Sequence, residues 1–91
     1  MAEKNQAAAS QKLFDFKCGP LKVDYFGGYY SVCYLYADAK RYPGVFVHEL
    51  GSGKTFEDAC RNYLRQIRGK TMVIRMPGCE WQEVQIPAEE P

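Results

Sequence analysis

The hydrophobic and polar positions of this chain switch period once, and the switch organises the rest. From Phe56 to Ile67 the apolar residues Phe56, Ala59, Cys60, Tyr63, Leu64 and Ile67 recur at i, i+3, i+4, i+7, i+8 and i+11. This is one continuous helical stripe. Thr55 before it is a good N-cap for the amide of residue 58, and Asp58 stands at the capping-box position. Gly69 suits the left-handed position past the helix end, so the pattern predicts a helix over about 55–68. Glu57, Arg61, Arg65 and Arg68 fall on its opposite face. There Glu57 and Arg61 form an i,i+4 pair of small worth, and the charges match the helix dipole.

Elsewhere the period is two. Leu21–Phe26 and Tyr29–Ala37 flank Gly27-Gly28, a pair that supplies both positive-φ positions of a tight primed turn. The two-residue loop sets Phe26 opposite Tyr29, Tyr25 opposite Tyr30, Val23 opposite Val32 and Leu21 opposite Tyr34. One face then carries Leu21, Val23, Tyr25, Tyr30, Val32, Tyr34 and Tyr36, apolar enough to receive the helix. The other carries Lys22, Asp24, Phe26, Tyr29, Ser31, Cys33 and Leu35. A slip of one residue would mix the two sets. Lys12–Cys18 alternates through Phe14, Phe16 and Cys18 and predicts a strand closed by Gly19-Pro20. Asp38–Gly44 reads as a polar loop. Val45–Leu50 and Thr71–Met76 read as strands, and Glu80–Ile86 as a short edge strand.

The expected fold is therefore α+β: an antiparallel sheet of four to six strands in the order β-β-β-β-α-β(-β), with the helix on one face. Residues 1–11 read as a flexible N-terminal tail, 12–86 as a single domain and 87–91 as an acidic C-terminal tail. Ninety-one residues of which 46% are hydrophobic suffice for one modest core. No leader-like apolar segment and no run near the membrane-span length is apparent, which points to a cytoplasmic protein with no membrane partner.

A formal net charge of +1 does not by itself call for nucleic acid. Cys18, Cys33, Cys60 and Cys79 include no CxxC pair, so reduced thiols are expected, with Cys33 and Cys60 buried. Their spacing with His48 does not suit zinc, so no metal and no cofactor are expected. Gly51-Ser52-Gly53-Lys54-Thr55 looks like the end of a phosphate-binding loop. That motif needs a further glycine where His48 stands, and a turn feeding an N-cap is the simpler reading. His48 has no suggestive Ser or Asp context and reads as a structural strand residue. With no catalytic constellation in view, the chain is not read as an enzyme.

Pro43-Gly44-Val45-Phe46 followed by Gly53-Lys54-Thr55-Phe56-Glu57-Asp58-Ala59 resembles the N-terminal domain of HicB-type antitoxins over about residues 21–76. Those domains run strand, strand, strand, helix, strand. HicB proteins usually continue into a DNA-binding segment, which is not seen here, and a strand near Phe14 is not part of their pattern. The resemblance implies a protein that occludes a partner through its sheet or helix face. Gly51, Gly53, Thr55 and Ala59 are also similar to a helix start of double-stranded-RNA-binding domains. That family grips phosphates with lysines where this chain has Phe56 and Glu57.

Two function classes follow. The first is a non-catalytic, antitoxin-like or inhibitor-like module with a protein partner, or a homodimer, that uses the face bearing Phe26, Tyr29, Cys33 and Leu35. Five of the seven tyrosines lie between Tyr25 and Tyr36, and tyrosine is enriched where proteins bind each other. The second is nucleic-acid binding through Lys54, Arg61, Arg65, Arg68 and Lys70, with tyrosines stacking on bases.

Overall fold

A computed structural model describes residues 8–41 and 44–88 of the chain. Its elements are α1 (Ala9–Asp15), β1 (Leu21–Phe26), β2 (Tyr29–Tyr34), β3 (Ala37–Arg41), β4 (Val45–Val47), β5 (Gly51–Gly53), α2 (Phe56–Ile67), β6 (Thr71–Ile74) and β7 (Gln82–Gln85). The strands form two antiparallel sheets, ordered β1-β2-β5 and β4-β3-β6-β7. The α+β class and the antiparallel pairing agree with the sequence.

The β1–β2 hairpin has the expected register from Phe26↔Tyr29 to Leu21↔Tyr34. Gly27 and Gly28 take φ of 64° and 87°, the left-handed values a primed turn demands. α2 starts at Thr55, whose Oγ1 accepts from the Asp58 amide at 3.0 Å, and it buries Ala59, Cys60, Tyr63, Leu64 and Ile67.

Five expectations are corrected. Lys12–Cys18 is not a strand: Ala9–Asp15 is helical, and Ala9 and Leu13, four residues apart, face the core. Ala9 and Ser10 therefore leave the expected tail, residues 1–7 of which lie outside the described part of the chain. Of the acidic C-terminal tail, Pro87 and Ala88 are described and exposed, and residues 89–91 are not described.

Asp38–Gly44 is not a loop up to Arg41: Ala37–Arg41 forms β3 at the centre of the second sheet. Its core side is made by Ala37 and Ala39, which sit opposite Ile74 and Met72. Val45–Leu50 shortens to Val45–Val47, and Gly51–Gly53 pairs with β2 instead. Finally, Glu57 does not engage Arg61. Its carboxylate accepts from the amide and hydroxyl of Ser10 at the start of α1, and Arg61 binds Asp58 at 2.6 Å.

The core lies among α1, α2 and both sheets, centred on Leu13, Val32, Tyr34, Tyr63, Ile67, Met72 and Ile86. α2 lies over β2 and β5 rather than over the whole first sheet. Gly51 and Gly53 permit this, because a Cβ at either would overlap the backbone of α2. Not all of the hairpin face assigned to the helix is covered: Val32 and Tyr34 are buried, whereas Val23 and Tyr25 stay at the surface.

Candidate functional site

Three surfaces carry the sequence-predicted residues. The first is the hairpin. Every residue of β1 after Leu21 is exposed. Phe26 is 88% accessible, Tyr25 63%, Tyr29 49% and Val23 44%, so apolar side chains stand in water on both faces of one hairpin. Tyr25 and Tyr30 pack ring to ring across the strands at 4.8 Å, which fixes the orientation of the exposed ring. Of the four residues expected on the binding face, Phe26, Tyr29 and Leu35 are exposed. Cys33 is buried at 2% and contributes no surface; its thiol lies 3.7 Å from Nε2 of His48.

The second surface is the polar face of α2. Three of its cations are engaged within the chain. Arg61 binds Asp58, Arg65 donates to the Asn62 side chain at 2.8 Å, and Lys70 binds Glu49 at 2.7 Å. Asn62 and Gln66 in turn donate to the carbonyls of Ser52 and Leu50, tying the helix to β5 and the segment before it. Lys54 is exposed at the start of α2, and Arg68 is partly buried at its end. The sequence groups these five cations as one basic face. The structure intersperses three of them with carboxylate and amide partners.

The third is a cleft of about 390 Å³ lined by Leu35, Tyr36, Asp38, His48 and Arg75. β3 supplies Asp38, the residue after β4 supplies His48, and the residue after β6 supplies Arg75. Asp38 Oδ1 is 2.9 Å from His48 Nδ1, and its Oδ2 accepts from the Arg75 guanidinium. The Arg75 guanidinium also stands over the rings of Phe46 and Trp81, at 4.8 and 5.5 Å.

Cys33, His48 and Asp38 thus follow the atom order of a thiol–imidazole–carboxylate relay. The grouping is not visible in the sequence, because Cys33 and His48 are joined only by the way β2 and the end of β4 meet. A working relay needs an accessible thiolate. Burial removes access to Cys33 and pushes its thiol above the ordinary range, with nearby Lys22 only partly opposing. The grouping is suited to anchoring His48 over Cys33 and to neutralising Asp38.

Among the described residues no group of three or more His, Cys, Asp or Glu is placed to hold a metal ion. No described helix is long and apolar enough to cross a membrane. No family model, curated protein or solved structure matches the chain.

Proposed function

We propose that the chain is a non-catalytic protein-binding module that docks its partner along the β1–β2 hairpin. The observation behind this reading is the exposure of Val23, Tyr25, Phe26 and Tyr29 on one hairpin. Large apolar side chains gathered at one exposed place favour a protein partner, and aromatic anchors supply most of the affinity in such contacts. β1 is also a sheet edge, so its backbone can extend a partner's sheet. The α2 face supports the nucleic-acid alternative less well, since Arg61, Arg65 and Lys70 are already engaged. An occluding, inhibitor-like action is the form of this activity that the HicB-type resemblance suggests. Four unpaired cysteines suit a reducing, cytoplasmic setting.

The test is site-specific photo-crosslinking in the producing cell. A benzophenone amino acid replaces Tyr25 or Phe26, with exposed Glu80 as the control position. Polypeptide adducts at Tyr25 and Phe26, absent at Glu80, are expected. Equal labelling at all three positions, or none at the hairpin, would falsify the reading.

A further inference from the structure

The edge of β1 specifies more than a generic partner. The Leu35 amide donates to the Pro20 carbonyl at 2.9 Å, and the turn pairs Phe26 with Tyr29. Hydrogen-bonded and non-hydrogen-bonded pairs alternate along an antiparallel ladder. Residues 20, 22, 24 and 26 therefore direct their backbone groups at β2. The amides and carbonyls of Leu21, Val23 and Tyr25 point away from β2, along the free edge. Their side chains share the face of the sheet that α2 covers further in. Lys22 and Asp24 occupy the opposite face, loosely paired at 3.9 Å and each more than half exposed.

Resting on the protein-binding reading above, we propose that the occupant of this edge is a second copy of the chain, its β1 paired antiparallel about a two-fold axis at Val23. A symmetric pair is self-complementary, so the register decides which residues meet. An axis at Lys22 sets lysine against lysine, and one at Asp24 sets aspartate against aspartate; like charges directly opposite are destabilising. An axis at Tyr25 leaves Asp24 opposite Phe26 and Lys22 beyond the partner strand, opposite Gly28. The axis at Val23 sets Lys22 opposite Asp24 of the second copy, twice by symmetry. It also sets Leu21 opposite Tyr25, twice, and Val23 opposite itself. Of these registers it alone uses all three outward-facing residues and matches every charge. The two three-stranded sheets then join edge to edge, with Leu21, Val23 and Tyr25 of both copies forming one apolar strip beside the α2 helices. Charge alternation on β1 thus acts as a register device, a role that its exposure on a lone chain does not give it.

Light scattering after size-exclusion chromatography of the full chain, combined with charge exchange, tests this. The wild type is expected at twice the 10.4 kDa of one chain. Lys22→Asp and Asp24→Lys each turn two attractive cross-strand pairs repulsive and should weaken the dimer about tenfold. The double exchange K22D/D24K restores opposite charges at both places and should recover wild-type dimerisation. These positions are exposed, so circular dichroism should report unchanged folding. A chain that stays monomeric at about 100 μM overturns the proposal, as does a dimer indifferent to both single exchanges or a double exchange that fails to recover it. A monomer whose Tyr25 photo-adducts contain only a different polypeptide overturns the second copy while leaving the hairpin reading intact. Absence of hairpin adducts removes that reading itself.

Discussion

The phenol oxygen of Tyr63 lies 3.1 Å from the backbone nitrogen of Tyr34 and accepts its hydrogen bond. The contact follows from strand lengths. β2 pairs with β5 at Tyr30, Ser31 and Val32, and β5 begins only at Gly51. The Tyr34 amide points to where an earlier start of β5 would lie and has no strand partner there. α2 fills the gap with a side chain, and both rings are buried, 5.5 Å apart and edge to face. The Tyr34 hydroxyl donates onward to the Leu13 carbonyl at 2.5 Å, so β2 is fastened to both helices through two phenols.

Replacing Tyr63 with Phe keeps the ring and removes the acceptor. The Tyr34 amide is then buried without a partner, which costs about 1–3 kcal/mol. Urea unfolding should show this as a lower midpoint with an unchanged slope, because the surface exposed on unfolding is the same. A Y63F midpoint equal to the wild type would mean that water or a shifted backbone takes over the bond.

Gly51 is needed for the same junction. A Cβ there would overlap the Tyr63 nitrogen and the Ala59 carbonyl, both backbone atoms of α2 that cannot rotate away. Gly51→Ala should cost at least about 2 kcal/mol, whereas Gly78→Ala, in open space at φ +80°, should cost only its backbone strain. Thermal unfolding of the two variants side by side checks the ordering.

What the sequence made legible was what local chemistry alone decides. Two glycines and strict alternation specify the hairpin register, and a threonine cap with a six-residue apolar stripe specifies α2. What it hid depends on distant packing. β3 reads Ala-Asp-Ala-Lys-Arg, and alanine gives little strand signal, yet small side chains are what its central position admits against Met72 and Ile74. β5 reads Gly-Ser-Gly because α2 passes too close for side chains. α1 misled because Phe14, Phe16 and Cys18 alternate, while Ala9 and Leu13 carry the helical spacing to the core. The exposed Phe26 and Tyr29 were visible in the two-face pattern. The cleft was not, since Asp38, His48 and Arg75 meet only once β3, β4 and β6 are side by side.

Thiol reactivity separates the four cysteines. Cys79 is exposed, and Cys18, Cys33 and Cys60 are buried. A disulfide reagent at pH 8 should modify one thiol rapidly in the folded chain and the other three only as it opens. Cys79→Ser should abolish the fast phase. A fast phase that survives C79S and disappears in C33S would identify Cys33 as an activated nucleophile held by His48 and Asp38. That result would reverse the non-catalytic reading.

Alkaline pH should unfold the protein through the same buried groups. Burial pushes the thiols of Cys18 and Cys60 from 9.0 to about 11, and it also raises the phenols of Tyr34 and Tyr63. Above pH 9 the unfolded chain releases these thiol protons while the folded chain keeps them, so the unfolded state binds fewer protons and stability falls as pH rises. The full contribution is present below pH 9, and that of the two thiols is lost as pH climbs through about 11. Cys60→Ala removes one such group and should lower the proton release that accompanies unfolding at pH 10 by about one. Chemical denaturation repeated from pH 7 to 11 measures that release as the slope of stability against pH. An identical slope for C60A and wild type would show that the Cys60 thiol titrates alike in the folded and unfolded chain.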